Sequence, residues 1–320
     1  MRLPDLQEIE DGAQTVYREF AATPQYRWDQ LSRQLGATCW VKHENHTPVG
    51  AFKIRGGLTY FEQMKREGRL PKQVISATRG NHGQSIAWAA RLHGLGCQIV
   101  APVGNSVEKN AAMRALGADL ILHGEDFQAS REHALALAAQ SGAHMVPSFH
   151  FDLMRGVASY WLELLRAVPK LDWAYVPLGL GSGVCSAIAA KLALAHPVRL
   201  VAVVSAHATT YPDSLAAGKV VAAPVNTSLA DGVAVRLADA DALALIAQHV
   251  DHIAQVSDAQ VATAMRDIFR ATHNVAEGAA AATYAAAFNE RAQLVGSQVG
   301  VVLSGGNVDS AVFARVLGQV

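Results

Sequence analysis

The chain carries no net charge, few cysteines and no long hydrophobic run. Its 320 residues include 27 Lys and Arg and 27 Asp and Glu, so no overall field would attract nucleic acid or an acidic membrane. Cys39, Cys97 and Cys185 are odd in number and far apart, which argues against a disulfide framework or a zinc site. The N-terminus lacks the apolar core of a signal peptide, and no segment approaches a membrane span in length. We therefore expect a cytoplasmic protein with reduced thiols and with no nucleic-acid or membrane partner.

Short apolar segments alternate with longer alanine-rich ones in two series. Such alternation is typical of parallel sheets covered by helices on both faces, with ligands at the carboxyl ends of the strands. We predict an α/β fold of two lobes, each a mainly parallel sheet flanked by helices, with a small lobe at 38–147 and a large lobe formed by 1–37 plus 148–320. The predicted strands are 74–77, 97–101, 119–122 and 143–146 in the first series, and 173–176, 199–204, 252–256 and 298–303 in the second.

Lys53 is the first candidate for chemistry. It lies in the segment 47–57, TPVGAFKIRGG, and three glycine-punctuated loops follow it at 80–84, 179–183 and 304–307, each between a predicted strand and a helix. A lysine beside an apolar wall such as Phe52 can lose its proton near neutral pH and form a Schiff base with an aldehyde. Taken alone, the lysine could equally be a surface residue at the start of an amphipathic helix, so the joint occurrence of the four segments favours the chemical role.

In this order the four segments resemble the fold-type II pyridoxal-phosphate (PLP) enzymes, and within them the serine/threonine dehydratase family. The resemblance extends roughly from residue 15 to residue 310. It implies a tryptophan synthase β-like fold, pyridoxal 5'-phosphate as cofactor, and a homodimer or homotetramer. It also implies that Lys53 holds the cofactor and later moves the α proton of the substrate. Ala51 stands where the family usually has serine, a change that we expect to be tolerated.

The loop 76–84 is predicted to hold the substrate, because free N–H groups at the start of a helix form a carboxylate site. The resemblance implies that this loop grips the substrate carboxylate and that Asn81 bonds the 3'-hydroxyl of the cofactor, although Asn81 could instead be the N-cap of the helix. For His82, a loop histidine bonded to its own backbone is favoured over a general base. The expected substrate contacts in this loop are Ser76, Thr78, Arg79, Gly80 and His82.

Arg79 departs from the family pattern. Many relatives have serine or alanine directly before the Gly-Asn-His segment, and in racemases of the family a serine there acts as a second acid/base on the far face of the cofactor. Arginine is a poor proton donor or acceptor at neutral pH. Racemisation is therefore disfavoured, and Arg79 is expected either to pair with a carboxylate or to point to solvent.

The loop 179–183 is predicted to bind a phosphate, because its glycines let the backbone wrap an anion at the start of a helix. A dinucleotide site needs a different glycine spacing and an acidic residue about 20 positions later, which 200–204 lacks, and no Gly-Lys-Ser/Thr sequence is present. The phosphate of PLP is the best remaining ligand. The loop consists of Gly179, Leu180, Gly181, Ser182 and Gly183.

Three further positions complete the predicted site, and a fourth bears on whether a metal is bound. By resemblance, Ser304 meets the pyridine nitrogen, and its neutral hydroxyl makes the cofactor a weaker electron sink, which favours β-elimination over transamination. Alternatively, Ser304 caps the next helix. Glu277 resembles a family glutamate near the ring but lacks the proline that follows it. Ser148 lies in the segment that builds the side-chain pocket, where a small residue leaves room for more than a methyl group. Asp213 stands alone where relatives have a glutamate for a divalent cation, so we predict no metal.

The resemblance implies a PLP-dependent ammonia-lyase that converts L-3-hydroxy-amino acids to 2-oxo acids and ammonia by α,β-elimination. L-Threonine and L-serine are the default substrates. Bulkier or acidic alternatives are 3-phenylserine, 3-hydroxyaspartate and a hydroxyectoine-pathway intermediate. An amino-acid racemase of the same fold is the alternative in another reaction class, ahead of a non-catalytic cofactor carrier or a nucleotide-binding oxidoreductase.

Overall fold

A computed structural model describes residues 1–319. Its strands are β1 (Gln25–Arg27), β2 (Thr38–His43), β3 (Gln73–Ala77), β4 (Gly96–Ala101), β5 (Asp119–Leu122), β6 (His144–Met145), β7 (Trp173–Pro177), β8 (Arg199–Ser205), β9 (His252–Val256) and β10 (Gln298–Leu303). They form a six-stranded sheet of order β1-β2-β10-β7-β8-β9 and a four-stranded sheet of order β5-β4-β3-β6. Every pairing is parallel except that of β1 with β2. The predicted α/β fold with two mainly parallel sheets is confirmed.

Helices cover both sheets. They are α1 (Leu6–Tyr17), α2 (Asp29–Leu35), α3 (Lys53–Arg66), α4 (Asn81–Leu92), α5 (Val107–Ala115), α6 (Phe127–Ser141), α7 (Phe151–Ala167), α8 (Ser182–Ala193), α9 (Thr210–Ala217), α10 (Ala240–His249), α11 (Asp258–Thr272), α12 (Gly278–Asn289), α13 (Arg291–Leu294) and α14 (Ser310–Gly318). Alternate residues of β8 face opposite sides: Leu200 and Ala202 pack with α7 and α8, whereas Val201 and Val203 pack with α11 and α12. Both faces of the larger sheet are therefore apolar, which explains the continuous apolar runs in its strands.

The prediction that the small lobe starts at residue 38 would include β2 in that lobe, and this is wrong. This strand pairs in parallel with β10, with Thr38 opposite Gln298 and His43 opposite Leu303, so it belongs to the six-stranded sheet. Its polar residues hid it from the search for apolar runs. Lys42 can be fully buried there because its Nζ lies 2.5 Å from a carboxylate oxygen of Glu163. The remainder of the division into lobes stays a prediction.

Glycines let α3 approach its two neighbouring helices closely. A Cβ added at Gly156 of α7 would overlap the backbone oxygen of Arg55, and one added at Gly56 would lie 2.9 Å from the backbone oxygen of Leu153. On the other side, Gly57 faces Ser85 of α4, whose Oγ donates to the carbonyl of Lys53 at 2.6 Å. The glycine pair after Lys53 is thus a packing requirement of the helix that Lys53 begins.

A buried ionic cluster lies directly behind this helix. The Arg55 guanidinium is fully buried and donates to Glu44 at 2.7 Å and to Glu163 at 2.7 Å. Burial alone would raise the pKa of Glu163, but Arg55 and Lys42 outweigh it and hold that pKa below its usual value. The cluster therefore consists of charged groups that compensate one another.

Two further expectations concern whole-chain properties. All three cysteines are buried and unpaired, and burial raises the pKa of each thiol to about 12. Across residues 1–319, no helix is both long enough and apolar enough to cross a bilayer.

Arg55→Met is expected to lower the free energy of unfolding by about 3–5 kcal/mol, because it leaves the buried carboxylate of Glu44 without a counter-ion and leaves Glu163 with Lys42 alone. Arg66→Met in the same helix is the matched control. Arg66 forms an exposed pair with Glu62, so its loss should cost less than about 1 kcal/mol. Urea unfolding of the two apoproteins measures both values, and equal midpoints would contradict the structural role given to Arg55.

Candidate functional site

A cleft opens where β3, β7 and β10 end and where α3, α4 and α8 begin. Ligands of open parallel sheets bind at such carboxyl ends. The cleft brings together all of the predicted site residues except Ser76. Its wall contains Phe52, Lys53, Thr78, Arg79, Gly80, Asn81, His82, Ser148, Gly179, Leu180, Gly181, Ser182, Gly183, Glu277 and Ser304.

Lys53 begins α3 and points its amine into the cleft. The turn before it is held against β10, because the Phe52 N–H donates to the Ser304 carbonyl at 3.0 Å. The Lys53 amine donates to Ser182 Oγ at 2.6 Å, and no carboxylate in the described part of the chain lies within ion-pair distance of it. Burial lowers its pKa to about 8. Lys53 does start a helix, but it lines a cavity and is not a surface lysine.

The first turn of α4 is fixed by Thr78. Its Oγ1 accepts from the N–H groups of Gly80 at 2.8 Å and Gly83 at 3.1 Å. Gly80, with φ of +146°, is the N-cap, so the alternative that Asn81 caps this helix is wrong. The Asn81 side chain instead donates to Glu277 at 2.7 Å and accepts from Asn307 at 2.9 Å. Its amide therefore has a fixed orientation in the cleft.

Two residues of the same loop differ from their expected roles. His82 lies within the first turn of α4, so the expectation of a loop histidine is wrong, and its buried Nε2 has no hydrogen-bond partner among the described residues. Burial and the nearby Lys53 lower the pKa of His82 to about 3, which makes it a weak base. Ser76 faces away from the cleft and donates to the Val146 carbonyl at 2.9 Å, which argues against the predicted substrate contact.

The loop 179–183 forms a backbone cradle at the start of α8. Gly181 is the N-cap with φ of +108°, a conformation that side chains rarely adopt, and a Cβ there would lie 2.5 Å from that of Ala242. A Cβ at Gly179 would lie 2.5 Å from the backbone oxygen of Gly232. The first-turn N–H groups of α8 have no acceptor within the helix, and they open toward the cleft. Such a cradle accommodates a phosphate.

Sequence reasoning missed a lysine that joins the two halves of the cleft. Lys109 of α5 lies 2.8 Å from Asp231 and 3.4 Å from Glu277, and all three line the cavity. Burial alone would lower the pKa of Lys109, but the two carboxylates outweigh it and hold that pKa above its usual value. Burial raises the pKa of Glu277, and Lys109 opposes that shift. Asp231 begins a single 3₁₀ turn, Asp231–Val233, which is too short to leave a periodic pattern in the sequence, so no pattern signalled this triad.

Three remaining predictions concern Ser304, Arg79 and the metal. Ser304 is buried at the end of β10 and caps no helix, since α14 begins at Ser310.

Arg79 forms no ion pair with any of residues 1–319, and its buried Nε has no hydrogen-bond partner. Asp213 accepts from Thr209 at 2.7 Å. No three metal-ligating side chains cluster among the described residues, and the absence of a metal stays a prediction.

These residues fit PLP. The cradle at 179–183 suits a phosphate, the Lys53 amine is positioned for an aldehyde, and the Ser304 hydroxyl suits a ring nitrogen. Oε2 of buried Glu277 has no hydrogen-bond partner and forms an ion pair with the Lys109 amine at 3.4 Å. Ser304 brings a neutral hydroxyl to the end of β10, not a carboxylate that would keep a ring nitrogen protonated.

Comparison with known proteins agrees with this geometry. The family described as "Pyridoxal-phosphate dependent enzyme" matches residues 16–305. An L-threonine ammonia-lyase of Geobacter sulfurreducens is 35% identical over 289 residues, which cover 90% of this chain and 71% of the relative. An L-threo-3-hydroxyaspartate ammonia-lyase of Saccharomyces cerevisiae is 30% identical over 99% of this chain and 97% of its own.

Solved structures extend the similarity to three dimensions. The processed form of threonine deaminase isoform 2 from Solanum lycopersicum superimposes with a TM-score of 0.87 at 26% identity, over 99% of this chain and 95% of the tomato chain. The resemblance to the serine/threonine dehydratase family and the predicted cofactor are thereby confirmed. Since the family match spans both sheets and every loop of the cleft, the chain belongs to the pyridoxal-phosphate dependent enzymes.

Proposed function

We propose that the protein is an ammonia-lyase that converts L-3-hydroxy-amino acids of the threonine and serine type to 2-oxo acids and ammonia. One observation carries the proposal: the Lys53 amine has a pKa lowered to about 8 and shares a cleft with the N–H groups of Asn81 and His82, which, unlike those of Gly80 and Gly83, do not donate to Thr78. A base and a carboxylate site are the two protein groups that abstraction of an α proton requires. The names of the relatives support the reaction class.

Each residue has a role in this reaction. The start of α4 binds the α-carboxylate of the substrate, and the start of α8 binds the cofactor phosphate. Lys53 Nζ, which lies 2.6 Å from Ser182 Oγ, accepts the proton from Cα. PLP, when bound, delocalises the electron pair that this proton leaves behind. Neutral His82 keeps positive charge away from Lys53, which leaves the amine free to act as the base.

Ser304 and Arg79 favour elimination over its alternatives. The Ser304 hydroxyl cannot hold a ring nitrogen protonated as a carboxylate does, which supports rapid loss of the β-hydroxyl rather than transamination. Racemisation needs a second acid/base, and Arg79 stands where a racemase of the family has serine. After elimination, the released enamine adds water and yields the 2-oxo acid and ammonia. Bulkier substrates such as 3-phenylserine or a hydroxyectoine-pathway intermediate remain alternatives for the same chemistry.

The proposal includes the setting in which the enzyme works. We infer a homodimer or homotetramer in the cytoplasm, acting on a small amino acid without a nucleic-acid or membrane partner. The buried thiols with raised pKa support a reducing compartment. Light scattering of the purified protein after size-exclusion chromatography measures the number of subunits.

Lys53→Ala is expected to lower the release of keto acid and ammonia by at least about 10³-fold, because it removes both the cofactor anchor and the base. Lys65→Ala, an exposed lysine of the same helix, is the control and should leave turnover unchanged. Keto acid and ammonia are assayed together with L-threonine, L-serine, 3-phenylserine and 3-hydroxyaspartate. A Lys53→Ala protein with full activity and an unaltered cofactor spectrum would refute the assignment.

Capture of PLP by the apoprotein should depend on pH through Lys53. Only the neutral amine attacks an aldehyde, and burial lowers its pKa from 10.5 to about 8. The rate should therefore rise with pH below about 8 and level off above it. Stopped-flow absorbance of the bound cofactor measures this rate. A rise that continues to pH 10 would show that the amine has the pKa of an ordinary lysine.

Chelation should leave activity unchanged, because the segment 205–213 lacks the glutamate of the divalent-cation site found in relatives. Turnover of L-threonine is compared before and after dialysis against EDTA, and again after magnesium is added. Loss of activity that magnesium restores would contradict the prediction.

A further inference from the structure

We propose that Arg79 binds a second carboxylate on the substrate, so that the preferred substrates are 3-hydroxy-amino acids with an acidic side chain. The inference rests on the proposed function, since it names the substrate class of that site. It assigns to Arg79 the role of a specificity-determining residue.

The backbone around Arg79 is rigid. Thr78 on one side accepts hydrogen bonds from Gly80 and Gly83, which closes the turn between β3 and α4. Arg79 therefore lines the same cleft as Lys53 from a fixed position. The N–H groups that begin α4 already serve the α-carboxylate. An additional guanidinium beside them is superfluous for a substrate that carries one acidic group.

Charge pairing in the cleft leaves Arg79 unmatched. Besides Lys53, which is assigned to the cofactor, the wall contains two cations, Arg79 and Lys109. Lys109 lies 2.8 Å from Asp231 and 3.4 Å from Glu277. These are the two carboxylates that line the cleft. Arg79 has no carboxylate within 4.0 Å in the part of the chain that the structure describes, and its Nε is buried without an acceptor. A carboxylate bound in the cleft would give the guanidinium the partner that it lacks.

A carboxylate is the best match to this donor. Removing a guanidinium N–H from water without an acceptor is costly. The planar guanidinium fits a carboxylate through two parallel hydrogen bonds, and the pairing is strong where water is excluded. Ser148 and Phe127 also line the cleft, and neither brings a negative charge that would repel a substrate carboxylate.

The chemistry balances without an added oxidant or reductant. The Cα–H and Cβ–O bonds of a 3-hydroxy dicarboxylic amino acid break. Lys53 takes the proton from Cα, and that proton then leaves with the hydroxyl as one water, which returns Lys53 to its neutral form. The enamine that is released becomes an imine, which takes up one water and releases ammonia. The net products are a 2-oxo dicarboxylic acid and ammonia.

The test compares threo-3-hydroxyaspartate with L-threonine as substrates of the holoenzyme. The wild type should have the higher kcat/KM for threo-3-hydroxyaspartate. Arg79→Met should lower that value by about 10- to 100-fold, the worth of one charge-assisted hydrogen-bonded pair, and change that for threonine by less than about 3-fold. Arg79→Lys, which keeps the charge, should retain part of the preference. Arg91→Gln, an exposed arginine of α4, is the control and should change neither value.

A binding measurement provides a readout independent of turnover. Malonate should raise the Tm of the wild-type holoenzyme more than acetate does, and Arg79→Met should remove the difference. Equal losses of kcat/KM for both substrates in Arg79→Met would mean that Arg79 binds the α-carboxylate that they share. Weaker cofactor binding in this variant would mean that Arg79 binds the cofactor phosphate. Either result overturns the proposal. Good turnover of threonine with none of hydroxyaspartate also overturns it. Failure of every substrate would instead refute the proposed function.

Discussion

The carboxylates of Glu44 and Glu163 converge on one buried guanidinium, that of Arg55, two residues beyond Lys53. They come from the turn after β2 and from α7, so three elements meet at a single cation. Leaving a charge of this kind unpaired inside a protein is far more costly than any gain from the pair itself. The elements are thereby restricted to one arrangement, and the direction in which α3 begins follows from it.

Close packing transmits this restriction to the amine. Gly56 and Gly156 bring α3 against α7 so tightly that a methyl group would not fit, and the Ser85 hydroxyl holds the carbonyl of Lys53. The amine is then held in a buried position, and this burial lowers its pKa. The chemical property of Lys53 thus arises from backbone contacts of its helix, not from a charged neighbour.

Much of this could be predicted from the sequence. The predicted bounds of the eight apolar strands lie within two residues of the observed ones. A strand that is buried on both faces is a continuous apolar run, and such a run is visible in one sequence without any knowledge of its neighbours. Strand β2 was assigned to the wrong lobe because Lys42 looks like a surface residue until its partner on α7 is known. The four glycine and lysine segments located the cleft, because backbone conformation and anion binding are local properties. Lys109 was missed, since its role depends on Asp231, 122 residues away along the chain.

The ion pair of Lys109 has a consequence for how the cleft is put together. Lys109 follows a strand of the four-stranded sheet, while Asp231 and Glu277 precede helices that cover the six-stranded one. The wall of the cleft therefore depends on how the two sheets and their covering helices are aligned. A substitution far from every ligand contact can therefore change the shape of the cleft by altering that alignment.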